Sequence, residues 1–162
     1  EDPPAWAGKK VSLLDTDHIW GVGGNAAWVW KSFLRGHNPI FMDPYDGFVL
    51  GTPGDQSWEP IRVAMGHTRS FAERVNLTVL TPHPEIASTG YCLADPGQEY
   101  LIYQPKSGEA FTVELKAGTY DYDWFNPTKG LSEGGGRTKS SGPALSFKAS
   151  FAGDAVLHFK AQ

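Results

Sequence analysis

From Glu99 to Phe125 the chain reads EYLIYQPKSGEAFTVELKAGTYDYDWF. Three apolar or aromatic runs, Glu99 to Gln104, Ala110 to Leu115 and Tyr120 to Phe125, are separated by Lys-Ser-Gly and Lys-Ala-Gly turns, the pattern of short antiparallel strands. Alternation is clean in Phe111-Thr112-Val113-Glu114-Leu115, which predicts one buried face. In the third run Tyr120, Tyr122 and Trp124 alternate with Asp121 and Asp123, so the aromatics share one face and the carboxylates the other. Working outward, Tyr91 to Ala94, Leu145 to Ala149 and Ala155 to Phe159 add further strands between turn signals. Together they predict a small antiparallel β-sandwich or barrel over residues 85–162. Leu131 to Gly142, with Gly134-Gly135-Gly136, reads as a loop.

Residues 1–84 read differently. Glu1 to Gly8 is a polar lead-in. Lys10 to Leu14 is a short strand ending in Asp15-Thr16-Asp17-His18. After Gly21 to Gly24, Asn25 is placed to cap a helix from Ala26 to about Leu34, stopped by Gly36. Pro39 to Met42 is a second strand, also ending in a polar group, Asp43-Pro44-Tyr45-Asp46. A strand, a helix and a strand form the α/β unit, whose chemistry sits at the strand ends. Trp58 to Leu80 carries a helical stripe of Ile61, Ala64, Met65, Thr68, Ala72, Val75 and Val79, ended by Pro82 and Pro84.

Composition narrows the function classes. The 162 residues are 40% hydrophobic, enough for a core, and 19 Gly and 12 Pro argue against a helical bundle. A formal charge of −4 without a basic block points away from nucleic acid. No apolar run approaches the ~20 residues of a membrane span. The single cysteine, Cys92, allows no intramolecular disulfide, and its apolar run predicts inert burial. Asn76-Leu77-Thr78 matches a glycosylation sequon.

The densest group of candidate site residues is Asp15, Asp17 and His18, followed after the next strand by Asp43 and Asp46. Three chemistries fit these residue types. Paired carboxylates can act as acid and base on a glycoside; oxygen ligands can hold a hard cation; and Asp can simply pin turn amides. Trp20, Trp28, Trp30, Tyr45 and Trp58 surround the group in sequence. Trp28 and Trp30, two apart on a helix, do not share a face, so one is expected inward and the other outward, where it can offer a sugar platform. His37, His67 and His83 lack the spacing of a metal site, and His158 stands isolated in a strand. A nucleophile elbow and a phosphate loop are both absent.

Leu14-Asp15-Thr16-Asp17-His18-Ile19-Trp20-Gly21, Trp28 to Gly36 and Pro39 to Tyr45 resemble the C-terminal part of the catalytic barrel in bacterial apiosidase-like glycoside hydrolases. Ser88 to Ala94, Glu99 to Tyr103 and Trp124 to Gly130 resemble the small Ig-like sandwich that follows it, a domain catalogued as collagen-binding. The resemblance implies an α/β segment, residues 1–84, forming the end of a (β/α)8 barrel, with a β-sandwich over 85–162. It implies catalytic roles for Asp15, Asp17 and His18, substrate contacts from Trp20, Trp28, Asp43 and Tyr45, no cofactor or metal, and a secreted or periplasmic location. A complete barrel needs ~250 residues, so the chain is expected to be the C-terminal portion of a hydrolase acting on or binding polysaccharide, incomplete as a catalyst alone. An apolar face left by the absent strands is expected to favour self-association. The competing expectation is a stand-alone glycan- or protein-binding sandwich with an α/β support.

Overall fold

The computed structural model describes residues 2–8, 10–16, 24–42 and 57–162. Strand β1 (Leu13–Asp15), helix α1 (Ala26–Leu34), strand β2 (Asn38–Ile40) and helix α2 (Glu59–Arg74) are followed by eight more strands. These are β3 (Thr81–Pro82), β4 (Cys92–Asp95), β5 (Glu99–Gln104), β6 (Phe111–Val113), β7 (Gly118–Asn126), β8 (Leu131–Ser140), β9 (Leu145–Phe147) and β10 (Ala155–Ala161). Strands β1 and β2 pair in parallel, with Leu13, Leu14 and Asp15 opposite Asn38, Pro39 and Ile40. Six strands form one sheet in the order β3-β4-β5-β10-β7-β8, and β6 pairs with β9 in a third.

Strands β4, β5 and β10 of the six-stranded sheet are buried on both faces, and the side chains of the sheet divide between two layers. Tyr100, Ile102, Tyr120, Trp124, Leu157 and Phe159 point to one side and pack with Phe111, Val113, Leu145 and Phe147 of the β6–β9 pair. Phe147 meets Phe159 at 5.0 Å between ring centroids, and Phe111 meets Trp124 at 6.0 Å. Leu93, Leu101, Tyr103, Phe125 and Val156 point to the other side and pack with Trp30, Phe33, Leu34, Ile61, Ala64 and Phe71 of the two helices. Leu14 and Phe41, from the β1–β2 region, pack against this same cluster. The described chain is therefore mostly β-sheet with two helices, in successive layers: parallel pair, helices, large sheet, small sheet.

Helix α1 keeps its expected bounds. Asn25 Oδ1 accepts from the Trp28 amide at 2.8 Å, and Gly36, at φ 81°, carries the chain out where a Cβ would lie 2.8 Å from Pro82. Trp28 and Trp30 are both buried, at 2% and 0% exposure, which corrects the expectation that one ring faces outward. The reason is position: α1 has Trp28, Val29, Trp30, Ser32, Phe33 and Leu34 buried, so it is enclosed rather than half-solvated.

Helix α2 stops at Arg74, six residues short of the expected Leu80. Asn76 Oδ1 accepts from the Thr78 amide at 3.2 Å and forms a turn that competes with the helix, so Val79 is 47% exposed and not part of the stripe. Phe71 takes a central place in the helix–sheet contact instead.

The Leu131 to Gly142 segment is also corrected: Leu131–Ser140 is a ten-residue edge strand, not a loop. Its glycines serve close approach. A Cβ on Gly135 would stand 2.5 Å from the Tyr122 carbonyl, and one on Gly136 would stand 3.1 Å from the Tyr122 hydroxyl. The Tyr122 side chain thus occupies the space that a side chain at 136 would need.

The polar lead-in is tied down. Arg35 and His37 reach the carbonyls of Pro3 and Pro4, and Asp2 bridges Lys31 and Tyr91, at 2.7 Å to Lys31. Cys92 is buried, and that burial pushes its thiol pKa up, away from reactivity.

Two substitutions separate core from surface in this account. Trp30→Ala is expected to lower the free energy of unfolding by about 3–5 kcal/mol. Gly66→Ala, where an added methyl meets nothing within 4 Å on the helix surface, is expected to raise it by about 1 kcal/mol. Urea unfolding of the two variants checks both signs.

Candidate functional site

Two polar groups stand out, one at the carboxyl ends of β1 and β2 and the other on the large sheet. At the first, Thr16 is wholly buried and its hydroxyl accepts from the Met42 amide at 3.0 Å, tying the end of β1 to the residues after β2. Thr16 also touches the start of α1, since a Cβ on Gly24 would lie 2.9 Å from its methyl group. Asp15 is exposed and paired in register with Ile40, on the face that also carries Leu13. That face is apolar and open. Val11 is 80% exposed, Leu13 64%, Met42 42% and Ile40 37%. A parallel pair is ordinarily covered on both faces, whereas among the described residues only the Leu14 and Phe41 side of this one is packed.

Of the expected site residues, Asp15 stands at this rim. Asp17, His18, Trp20, Asp43 and Tyr45 lie outside the described residues, and Trp28 is withdrawn into the core, so it offers no exposed ring to a substrate. Among the described residues, no group of three or more His, Cys, Asp or Glu side chains is placed to hold a metal ion. No described helix is long and apolar enough to cross a membrane.

The second group was not visible in the sequence. On β10, His158 places Nε2 at 2.8 Å from Glu99 of β5 and Nδ1 at 3.3 Å from Asp123 of β7. Arg74, the last residue of α2, stands 3.9 Å from Asp123, and the Phe71 ring meets the imidazole edge-on. Arg74, Glu99, Asp123 and His158 line an open polar recess with Asp121, Tyr122 and Lys160. Both ring nitrogens of His158 face carboxylates. The group acts as a polar bridge across three strands and onto the end of α2. Register alone brings it together: His158 is opposite Asp123, and Glu99 is opposite Lys160.

Burial opposes the charge of Asp123, yet its hydrogen bond to His158 and the charges of His158 and Arg74 hold its carboxyl below the ordinary 3.8.

No family model matches this chain, and no curated protein matches it. Solved structures do. A structure titled "Glycoside hydrolase" is 13% identical with a TM-score of 0.57, the match covering 84% of this chain and 36% of that one. A glycoside hydrolase family 5 structure from Bacteroides vulgatus is 15% identical with a TM-score of 0.60, covering 84% of this chain and 35% of that one. The chain therefore shares its fold with part of these glycoside hydrolase structures and spans about a third of their length.

The lowered carboxyl pKa of Asp123 has a definite sign. Its contribution to stability is present above the unfolded-state value and is lost as the pH falls through the folded-state value. Unfolding free energies measured from neutral to strongly acidic pH are expected to decline less steeply on the acid side for Asp123→Asn than for the wild type. Parallel curves would contradict the bridge.

Proposed function

We propose that this chain is the C-terminal portion of a glycoside-hydrolase-like protein that acts on or binds plant or microbial polysaccharide, with the helices and parallel strands as the end of a barrel and the sheets as an accessory module. One observation carries this reading. A fold shared with about a third of a glycoside hydrolase has, on its parallel strands, an apolar pair, Leu13 and Ile40, that among the described residues stands exposed. In a barrel, alternate strand residues fill the interior in layers, and these two lie on the face opposite Leu14, the side chain that packs on the helical core.

On this reading Asp15, Asp17 and His18 carry the chemistry at the carboxyl end of β1, and Trp20, Asp43 and Tyr45 contact the sugar. A glycosidase sets two carboxyl groups across the scissile bond, one as acid and the other as base or nucleophile; strands outside this chain supply the remainder of that arrangement. The apiosidase-like family and a secreted or periplasmic location belong to the same reading, because a polymeric glycan is met outside the cytoplasm. The uncovered face also favours self-association of the isolated chain.

Two measurements test it. Retention on insoluble xylan, pectin and cellulose is expected for the wild type and is expected to fall about tenfold, roughly 1.4 kcal/mol, in a variant carrying both Asp15→Asn and Asp43→Asn; undiminished retention contradicts the assignment. Sedimentation velocity is expected to show concentration-dependent association that Leu13→Ser with Ile40→Ser suppresses. A monomer at all concentrations would remove the argument from the apolar face.

A further inference from the structure

A groove of about 370 Å³ opens at the first residues of both helices, within the range of about 300–1,000 Å³ typical of small-ligand sites. Its walls are largely apolar: Ala26 at the start of α1, Pro60, Val63 and Ala64 of α2, and Pro127 in the turn between β7 and β8. Polar groups stand among them. Asp154 is one, held by the Tyr103 hydroxyl, which donates to its Oδ2 at 2.8 Å. Thr128 and Glu59 are two others.

Trp30 also lines the groove. Its side chain is fully buried, and its indole Nε1 is a buried donor with no hydrogen-bond partner.

The groove lies beside the proposed catalytic rim. The end of β1 touches the start of α1 through Thr16 and Gly24, and the Phe41 and Trp58 rings, 5.8 Å apart between centroids, join the residues after β2 to the start of α2. Pro127, Thr128 and Asp154 belong to the accessory sheets.

We infer that this groove is a saccharide subsite, taking one neutral sugar ring of a glycan whose other end reaches the carboxyl ends of β1 and β2. The inference rests on the function proposed above. A sugar ring matches both features of the groove. Its C–H face covers Pro60, Val63, Ala64 and Pro127, while its hydroxyls donate to Asp154 and Glu59. The subsite gives the accessory layer a part in holding substrate, beyond supporting the barrel.

The test uses the full chain labelled with ¹⁵N and titrated with xylobiose and cellobiose, with glycerol as a control for generic polyol binding. The Trp30 indole N–H resonance is expected to move saturably with at least one disaccharide and not with glycerol. Val63→Phe, which fills the groove from a partly exposed position, is expected to weaken that binding about tenfold. An unchanged spectrum elsewhere in this variant shows that its fold is intact. Disaccharide binding that leaves the Trp30 resonance in place, or that Val63→Phe does not weaken, overturns the subsite while leaving the proposed function standing. Absence of binding by either disaccharide at millimolar concentrations overturns the subsite and counts against the proposed function as well.

Discussion

The arrangement depends on one contact, the seating of the Trp30 indole on the outer face of the large sheet. It stacks on Tyr103 at 6.0 Å between centroids, and Phe71 and Phe125 close around it at 5.8 and 5.9 Å. Aromatic pairs in such geometries contribute about 0.5–1.5 kcal/mol each beyond the area they bury. Their larger effect is positional. Trp30 belongs to α1, Phe71 to α2, Tyr103 to β5 and Phe125 to β7, so a single cluster fixes both helices against the center of the sheet. The parallel strands are carried on the far side of those helices, and the candidate rim is positioned by the same cluster. The His158 bridge adds a polar tie at the end of α2, where the aromatic contact gives way to solvent.

Much of this was readable from periodicity. The apolar run from Glu99 to Gln104 and the two-residue alternation in Tyr120 to Phe125 marked the central strands, and the Asn25 and Gly36 signals bounded α1. Alternation alone did not show that both faces are buried, because Tyr100 and Tyr103 look alike in sequence while facing different layers. A related ambiguity explains Trp28 and Trp30, which a helical wheel sets on different faces but which an enclosed helix buries together. The Gly134 to Gly136 run was misread because glycine usually signals a turn; here close backbone approach and the Tyr122 ring set the requirement. The end of α2 was misplaced because a side-chain turn at Asn76 acts before the prolines do.

The candidate sites were legible to unequal degrees. Asp15 at a strand end follows from the order strand, polar cluster, helix. The Glu99, Asp123 and His158 bridge joins residues far apart in sequence, and only strand register brings them together. The orphan indole donor of Trp30 is likewise a property of packing, since nothing in Ala26 to Leu34 distinguishes it from any other core tryptophan. Polar groups that depend on tertiary register are the part of a site that one sequence leaves unread.

Through the Trp30 cluster the helical layer and the large sheet form one cooperative unit. Native-state hydrogen exchange measures this directly. The slowest amides of α1 and α2 are expected to open with the same free energy as those of β5 and β10, and weakening the cluster is expected to lower both together. Helical amides that exchange by a separate, lower-energy opening while the strands of the large sheet stay protected would contradict it.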